Sequence, residues 1–213
     1  MKIETLRKLA GREEIDYGFI LSALKDYVKP RNKISAWLKS KELIRIKKGL
    51  YIFGENSALQ PYSKEVLANL IYGPSAISLT YALSYYGLIP ERVNTITNIT
   101  NNRIKNFSTD VGVFQYYYLN SEKYSVGITL NQALTEHAFL IASPEKALSD
   151  QIHIVDKHIE LKNTEEMEKY LLHDLRIDER ELLKFKLNHL EEISNHYHDE
   201  RIVLLKKYIK MRK

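Results

Sequence analysis

The chain has 213 residues, 44% hydrophobic and 28% charged, a globular composition with material for more than one core. Its apolar runs fall short of the ~20 residues a helix needs to cross a bilayer, and it contains no cysteine, which excludes a disulfide framework and thiolate chemistry. The net charge is +5, and that excess is concentrated in one stretch.

Taken in order, Ile3, Leu6, Leu9 and Ala10 predict a short amphipathic helix that stops at Gly11. Asp16 suits the N-cap of a second helix, whose Tyr17, Ile20, Leu21 and Leu24 recur at helical spacing. After a break at residues 27–29, Pro30 suits the first turn of a third helix. Ile34, Trp37 and Leu38 form its apolar face. The opposite face carries Asn32, Ser35, Ala36, Lys39 and Ser40, flanked by Arg31 and Lys33, with no acid on it. The pattern then alternates, Ile44 and Ile46 against Arg45 and Lys47, as in a half-buried strand. Lys48-Gly49 can turn, and residues 50–53 return. A helix feeding a basic hairpin is the arrangement of a winged helix-turn-helix.

Charge points the same way. Residues 29–48 hold eight Lys or Arg against one acid, a local net of +7, so the rest of the chain carries −2. Phosphate neutralisation supplies most non-specific affinity for DNA. A Lys-rich run is often no more than a solvated surface; here it coincides with an acid-free helix face. The spacing assigns Asn32, Ser35, Lys39 and Ser40 to base edges and Arg31, Lys33, Lys47 and Lys48 to phosphates, with Arg45 on the same strand face as Lys47.

Residues 55–61, polar and closed by Pro61, mark a boundary between a DNA-binding domain at 1–57 and an α+β domain at 58–213. In the latter, Ser63 caps a helix bearing Val66, Leu67, Leu70 and Ile71 that Gly73-Pro74 ends, and residues 75–86 predict another. Gly87, Leu88 and Pro90 form its stop signal. β-formers at 95–100, 113–119 and 126–130 predict a small antiparallel sheet whose first two strands are separated by a loop over 101–112; its first part, 101–105, holds Arg103 and Lys105, which are either solvated or touch a phosphate backbone or a partner protein. Alternation in Tyr116–Tyr118 buries Tyr117 and exposes its neighbours. Ser143-Pro144-Glu145 starts a further helix, and residues 164–213 carry a helical pattern expected to form a bundle.

Catalytic constellations are missing. The eight glycines form no phosphate loop, no aspartates stand at i, i+2, and no nucleophile elbow occurs. His196, His198 and Asp199 are adjacent, but i, i+2 neighbours on a helix point apart, so neither metal nor cofactor is expected. The chain reads as a non-enzyme. Acids in MKIETLRKLAGREE stand where a secretory signal is apolar, so a cytoplasmic location is expected.

With these residues in view, the chain resembles the AbiEi antitoxins of AbiE-type, type IV toxin–antitoxin systems in phage defence. The resemblance rests on KKGLYIF, on SAISLTYALSYYGLIPE, on TITNITNNRIKNF and on ASPEKALSD. It implies a transcriptional autorepressor that binds promoter repeats in double-stranded DNA through its winged helix. It further implies a C-terminal domain that counteracts a cognate nucleotidyltransferase toxin. The alternative is a plain winged-helix regulator whose second domain binds a ligand or mediates assembly.

Overall fold

The computed structural model describes residues 1–131 and 138–213. Helix α1 (Ile3–Ala10) ends at Gly11, whose φ of 69° is the left-handed conformation that glycine adopts without strain. Its buried stripe is Ile3, Leu6 and Arg7, while Leu9, expected on that stripe, is 59% exposed. Arg7 Nη2 donates to Glu13 Oε1 at 2.6 Å, so an ion pair fills the i, i+4 position from Ile3. Strand β1 (Glu14–Asp16) follows, and Asp16 caps α2 (Tyr17–Ala23) by accepting from Phe19 N at 2.7 Å. Next come α3 (Pro30–Lys39) and a hairpin of β2 (Leu43–Lys47) and β3 (Leu50–Phe53). The three strands form an antiparallel sheet in the order β1-β3-β2.

All four residues of β3 are buried because both faces of the hairpin are covered. On one face Leu43, Tyr51 and Phe53 pack with Ile34 and Trp37 of α3 and with Ile3, Leu6, Ile20 and Leu24. On the other, Ile46, Leu50 and Ile52 enter the main core beside Val66, Leu67 and Ile71. Residues 55–61 form neither helix nor strand, and they are pinned. Leu59 N and Gln60 N donate to Glu13 Oε1 at 3.0 and 2.9 Å, and Ser63 N donates to Glu14 Oε1 at 2.9 Å. Buried carboxylates need such partners.

The second sheet departs from the small antiparallel one expected. Among the described residues it has six strands in the order β6-β7-β5-β4-β9-β8: β4 (Ser75–Ile77), β5 (Ile96–Thr100), β6 (Lys105–Thr109), β7 (Gly112–Tyr118), β8 (Ile128–Asn131) and β9 (Phe139–Ala142). It is mixed, with parallel pairs β4/β9 and β5/β7. Helices α4 (Lys64–Ile71, capped by Ser63) and α5 (Leu79–Tyr85) flank β4. A helix expected over 75–86 is therefore a central strand followed by a shorter helix; small and apolar residues at 75–77 satisfy either period when both faces are buried. The expected loop over 101–112 contains β6, an edge strand. Within β7 it is Tyr116 that is buried, with its hydroxyl donating to Ala68 O at 2.6 Å, whereas Tyr118 is 53% exposed.

After α6 (Ser121–Tyr124) and the last two strands, Ser143 caps α7 (Pro144–Asp150), which runs on as a π-helix over Gln151–Val155. Helices α8 (Thr164–Lys169, with a π-helical end), α9 (Glu179–Leu182), α10 (Leu187–Tyr197) and α11 (Glu200–Arg212) follow. They share a core with the sheet: Leu182, Phe185, Leu190, Leu205 and Ile209 belong to the same cluster as Ile77, Phe114 and Ile141. No helix among the described residues is long and apolar enough to cross a membrane.

Candidate nucleic-acid interface

Helix α3 is held by its apolar side. Ile34 and Trp37 are buried, which leaves Arg31, Asn32, Ser35, Lys39 and Ser40 exposed, as helical spacing requires. Lys33 is half-buried, with its ammonium 5.1 Å from the centroid of the Trp37 ring, a cation–π contact that holds it against the helix flank. Ser40 is already engaged: its hydroxyl contacts Trp37 O at 3.2 Å and Glu42 Oε2 at 2.6 Å. This pair brings a carboxylate to the C-terminal end of α3, so the acid-free part of the face is its first two turns. No acid occupies the first turn of α3, and Arg31, Asn32 and Lys33 lie beside its N-terminus. That end of a helix also favours anions.

The hairpin distributes its cations unequally. Gly49 takes φ 89°, and Lys48 beside it is exposed at the tip. Lys47 was expected to meet phosphate. Instead its ammonium donates to the Ile71 carbonyl at the C-terminal end of α4. Burial, and then repulsion from Lys105, pulls its pKa below the usual lysine range. A β-bulge between Arg45 and Lys47 rotates this part of β2 and frees Lys47 from the alternation read in the sequence. Arg45 is exposed but opens onto a cleft shared with Leu38, Lys41 and Asp110, which places an acid near it and away from the tip.

These placements separate two lysines that are neighbours in sequence. If the hairpin tip meets duplex DNA, Lys48→Ala is expected to lower the slope of log affinity against log salt by about 1. Lys47→Ala should leave that slope unchanged and lower folding stability by about 1–3 kcal/mol, since the Ile71 carbonyl loses a charged donor. A salt series on the two variants, with a denaturant titration of each, checks both statements.

The structure also gathers residues that spacing had not connected. Ser78 Oγ donates to Asp150 Oδ2 at 2.6 Å, Lys146 Nζ approaches Asp150 Oδ1 at 3.2 Å and Tyr197 Oη at 2.6 Å, and Tyr197 donates to Asp150 Oδ1. The four groups are buried together where α5, α7 and α10 meet. The one signal in the sequence was Lys146 and Asp150 at i, i+4, which ordinarily marks a solvated pair. The trio His196, His198 and Asp199 is not assembled. His198 caps α10 with φ 51°, Asp199 is bonded to His153 and Arg201, and no cluster with metal-ligand geometry occurs among the described residues.

Neither a family model nor a curated protein sequence matches the chain.

Proposed function

We propose that this chain is a DNA-binding transcriptional autorepressor with an antitoxin function. Its first three helices and the β2–β3 hairpin form a winged helix-turn-helix that reads promoter DNA, with α3 as the recognition helix. The carrying observation is the solvent face of α3, where Arg31, Asn32, Ser35 and Lys39 are exposed together while Ile34 and Trp37 fix the opposite face in a core. Polar groups that can reach base edges, on a helix that cannot rotate, supply direct readout, and cations around them supply phosphate attraction. In this reading Asn32, Ser35 and Lys39 face bases, Arg31 and Lys48 hold the backbone, and residues 58–213 counteract a nucleotidyltransferase toxin. The antitoxin half rests on the AbiEi-like segments quoted above.

The test is binding of the full chain to its own promoter and to scrambled duplex over a salt series. Cutting the chain at Pro61 is a poor control, because Ile46, Leu50 and Ile52 are packed into the core of the remainder. Point variants are cleaner. Asn32→Ala or Lys39→Ala is expected to cost about 1–3 kcal/mol on the promoter and little on scrambled DNA. Equal loss on both would remove α3 from base reading. One observation favours a second reading, a regulator controlled by a small ligand: a cleft of about 500 Å³ between the hairpin, the boundary segment and the β6–β7 turn, lined by Ile44, Phe53, Leu59, Tyr62 and Val111. Co-expression with a candidate nucleotidyltransferase separates the two, since only the antitoxin rescues growth.

A further inference from the structure

Between the C-terminal end of β7, helix α6 and the π-helical extension of α7 lies a groove of about 340 Å³ whose walls include Ile104, Tyr118, Asn120, Lys123, His153 and Lys157. That volume falls within the ~300–1,000 Å³ of small-molecule sites. The groove has three basic side chains and no acidic one in its lining.

Of the two lysines, Lys123 is held in place by its neighbours. Lys123 Nζ lies 3.1 Å from His153 Nε2, and an ammonium can only donate, so Nε2 is the acceptor. His153 then carries its proton on Nδ1, which donates to Asp199 Oδ2 at 2.9 Å. Arg201 clamps the same carboxylate, Nη2 to Oδ2 at 2.7 Å and Nε to Oδ1 at 3.0 Å. Burial alone would raise the Asp199 pKa, but hydrogen bonds from His153 and Arg201 outweigh it and hold the carboxyl well below the usual range. Asp199 is thus a fixed anion that orients His153, and His153 in turn orients the Lys123 ammonium, which also sits 5.8 Å from the Tyr197 ring centroid. In the same lining, Tyr118 is 53% and Ile104 65% exposed, an aromatic ring and a branched chain left in water beside Lys123 and Lys157.

A cationic end next to an exposed ring matches one ligand chemistry, an anionic phosphate joined to a flat aromatic base. We propose that this groove binds a phosphorylated nucleoside, with its phosphate on Lys123 and Lys157 and its base against Tyr118 and Ile104. Base–aromatic stacking and charge-assisted hydrogen bonds supply the affinity. Asp199, Arg201 and His153 are positioning residues that aim Lys123. The inference does not depend on the DNA reading, since none of these residues belongs to α3 or the hairpin.

Calorimetric titration of the full chain with ATP, AMP and inorganic phosphate at low salt tests it. ATP and AMP are expected to bind. Lys123→Met combined with Lys157→Ala should weaken both by at least about tenfold. Tyr118→Ala should weaken both by at least about fivefold and leave inorganic phosphate unchanged. Lys8→Ala, on α1, removes one charge elsewhere and is expected to change nothing. Should Lys123→Met disturb folding, Lys157→Ala alone, on an exposed turn, carries the same test. Failure of both nucleotides to bind at millimolar concentration, or equal affinity in the double variant and the Lys8 control, would overturn the proposal. Loss in the double variant with no effect of Tyr118→Ala would overturn the nucleoside assignment.

Discussion

Asp150→Ala is expected to cost about 3–5 kcal/mol of folding stability, a large share of the ~5–15 kcal/mol that holds a domain together. Asp150 is fully buried and accepts from Ser78 and Tyr197 while facing the ammonium of Lys146, itself fully buried. Removing the carboxylate strands that ammonium, whose remaining partners are Tyr197 Oη and the Lys123 carbonyl at 2.9 Å. Burial already pulls the Lys146 pKa down, and the neighbouring Asp150 pushes it back up. An unpaired charge in that position is the main cost, so adding Lys146→Met to Asp150→Ala should recover about 1–3 kcal/mol. Denaturant titration of the two singles and the double closes the cycle. Simple addition of the two single losses would mean that the residues do not act as a pair. The cluster joins the β4–α5 junction to α7 and α10, so its loss loosens helices from the sheet and not one element alone.

Local signals were the legible ones. Gly11, Asp16, Ser63, Ser143-Pro144 and Gly87-Leu88 each act on backbone within four or five residues, and each begins or ends a helix where the spacing placed it. Strands β1, β4, β6 and β9 were missed, β1 and β6 because their identity comes from a partner. β6 is polar and mostly exposed, and becomes a strand by pairing with β7; β1 is three residues with two acids, and pairs with β3. Much of the candidate interface was legible, because one buried face fixes the other at 3.6 residues per turn. What escaped was the fate of single side chains governed by distant groups. Lys47 meets a carbonyl 24 residues away, and Asp150 meets a hydroxyl 72 residues away. Neither partner leaves a mark near the residue it engages.

Under the proposed DNA reading, Trp37→Ala is expected to abolish promoter binding at temperatures where most of the chain remains folded. Trp37 is 2% exposed, and truncating a buried tryptophan costs about 3–5 kcal/mol through lost transfer energy and the cavity left behind. The loss falls on one cluster. Trp37 packs with residues of α1, α2, α3 and one face of the hairpin, and that set shares no buried member with the main core. The opposite hairpin face stays anchored, through Ile46, Leu50 and Ile52 and through Lys47 on the Ile71 carbonyl. Local opening therefore has a natural boundary running down the middle of β3. Hydrogen exchange reads this directly: amides of α1, α2 and α3 should lose protection in the variant, while those of β5 and β7, paired in parallel within the large sheet, keep theirs. Uniform loss across both sheets would show that the hairpin couples the two cores into a single cooperative unit. In that event a substitution in the main core, such as Leu67→Ala, would depress promoter binding as strongly as one in α3.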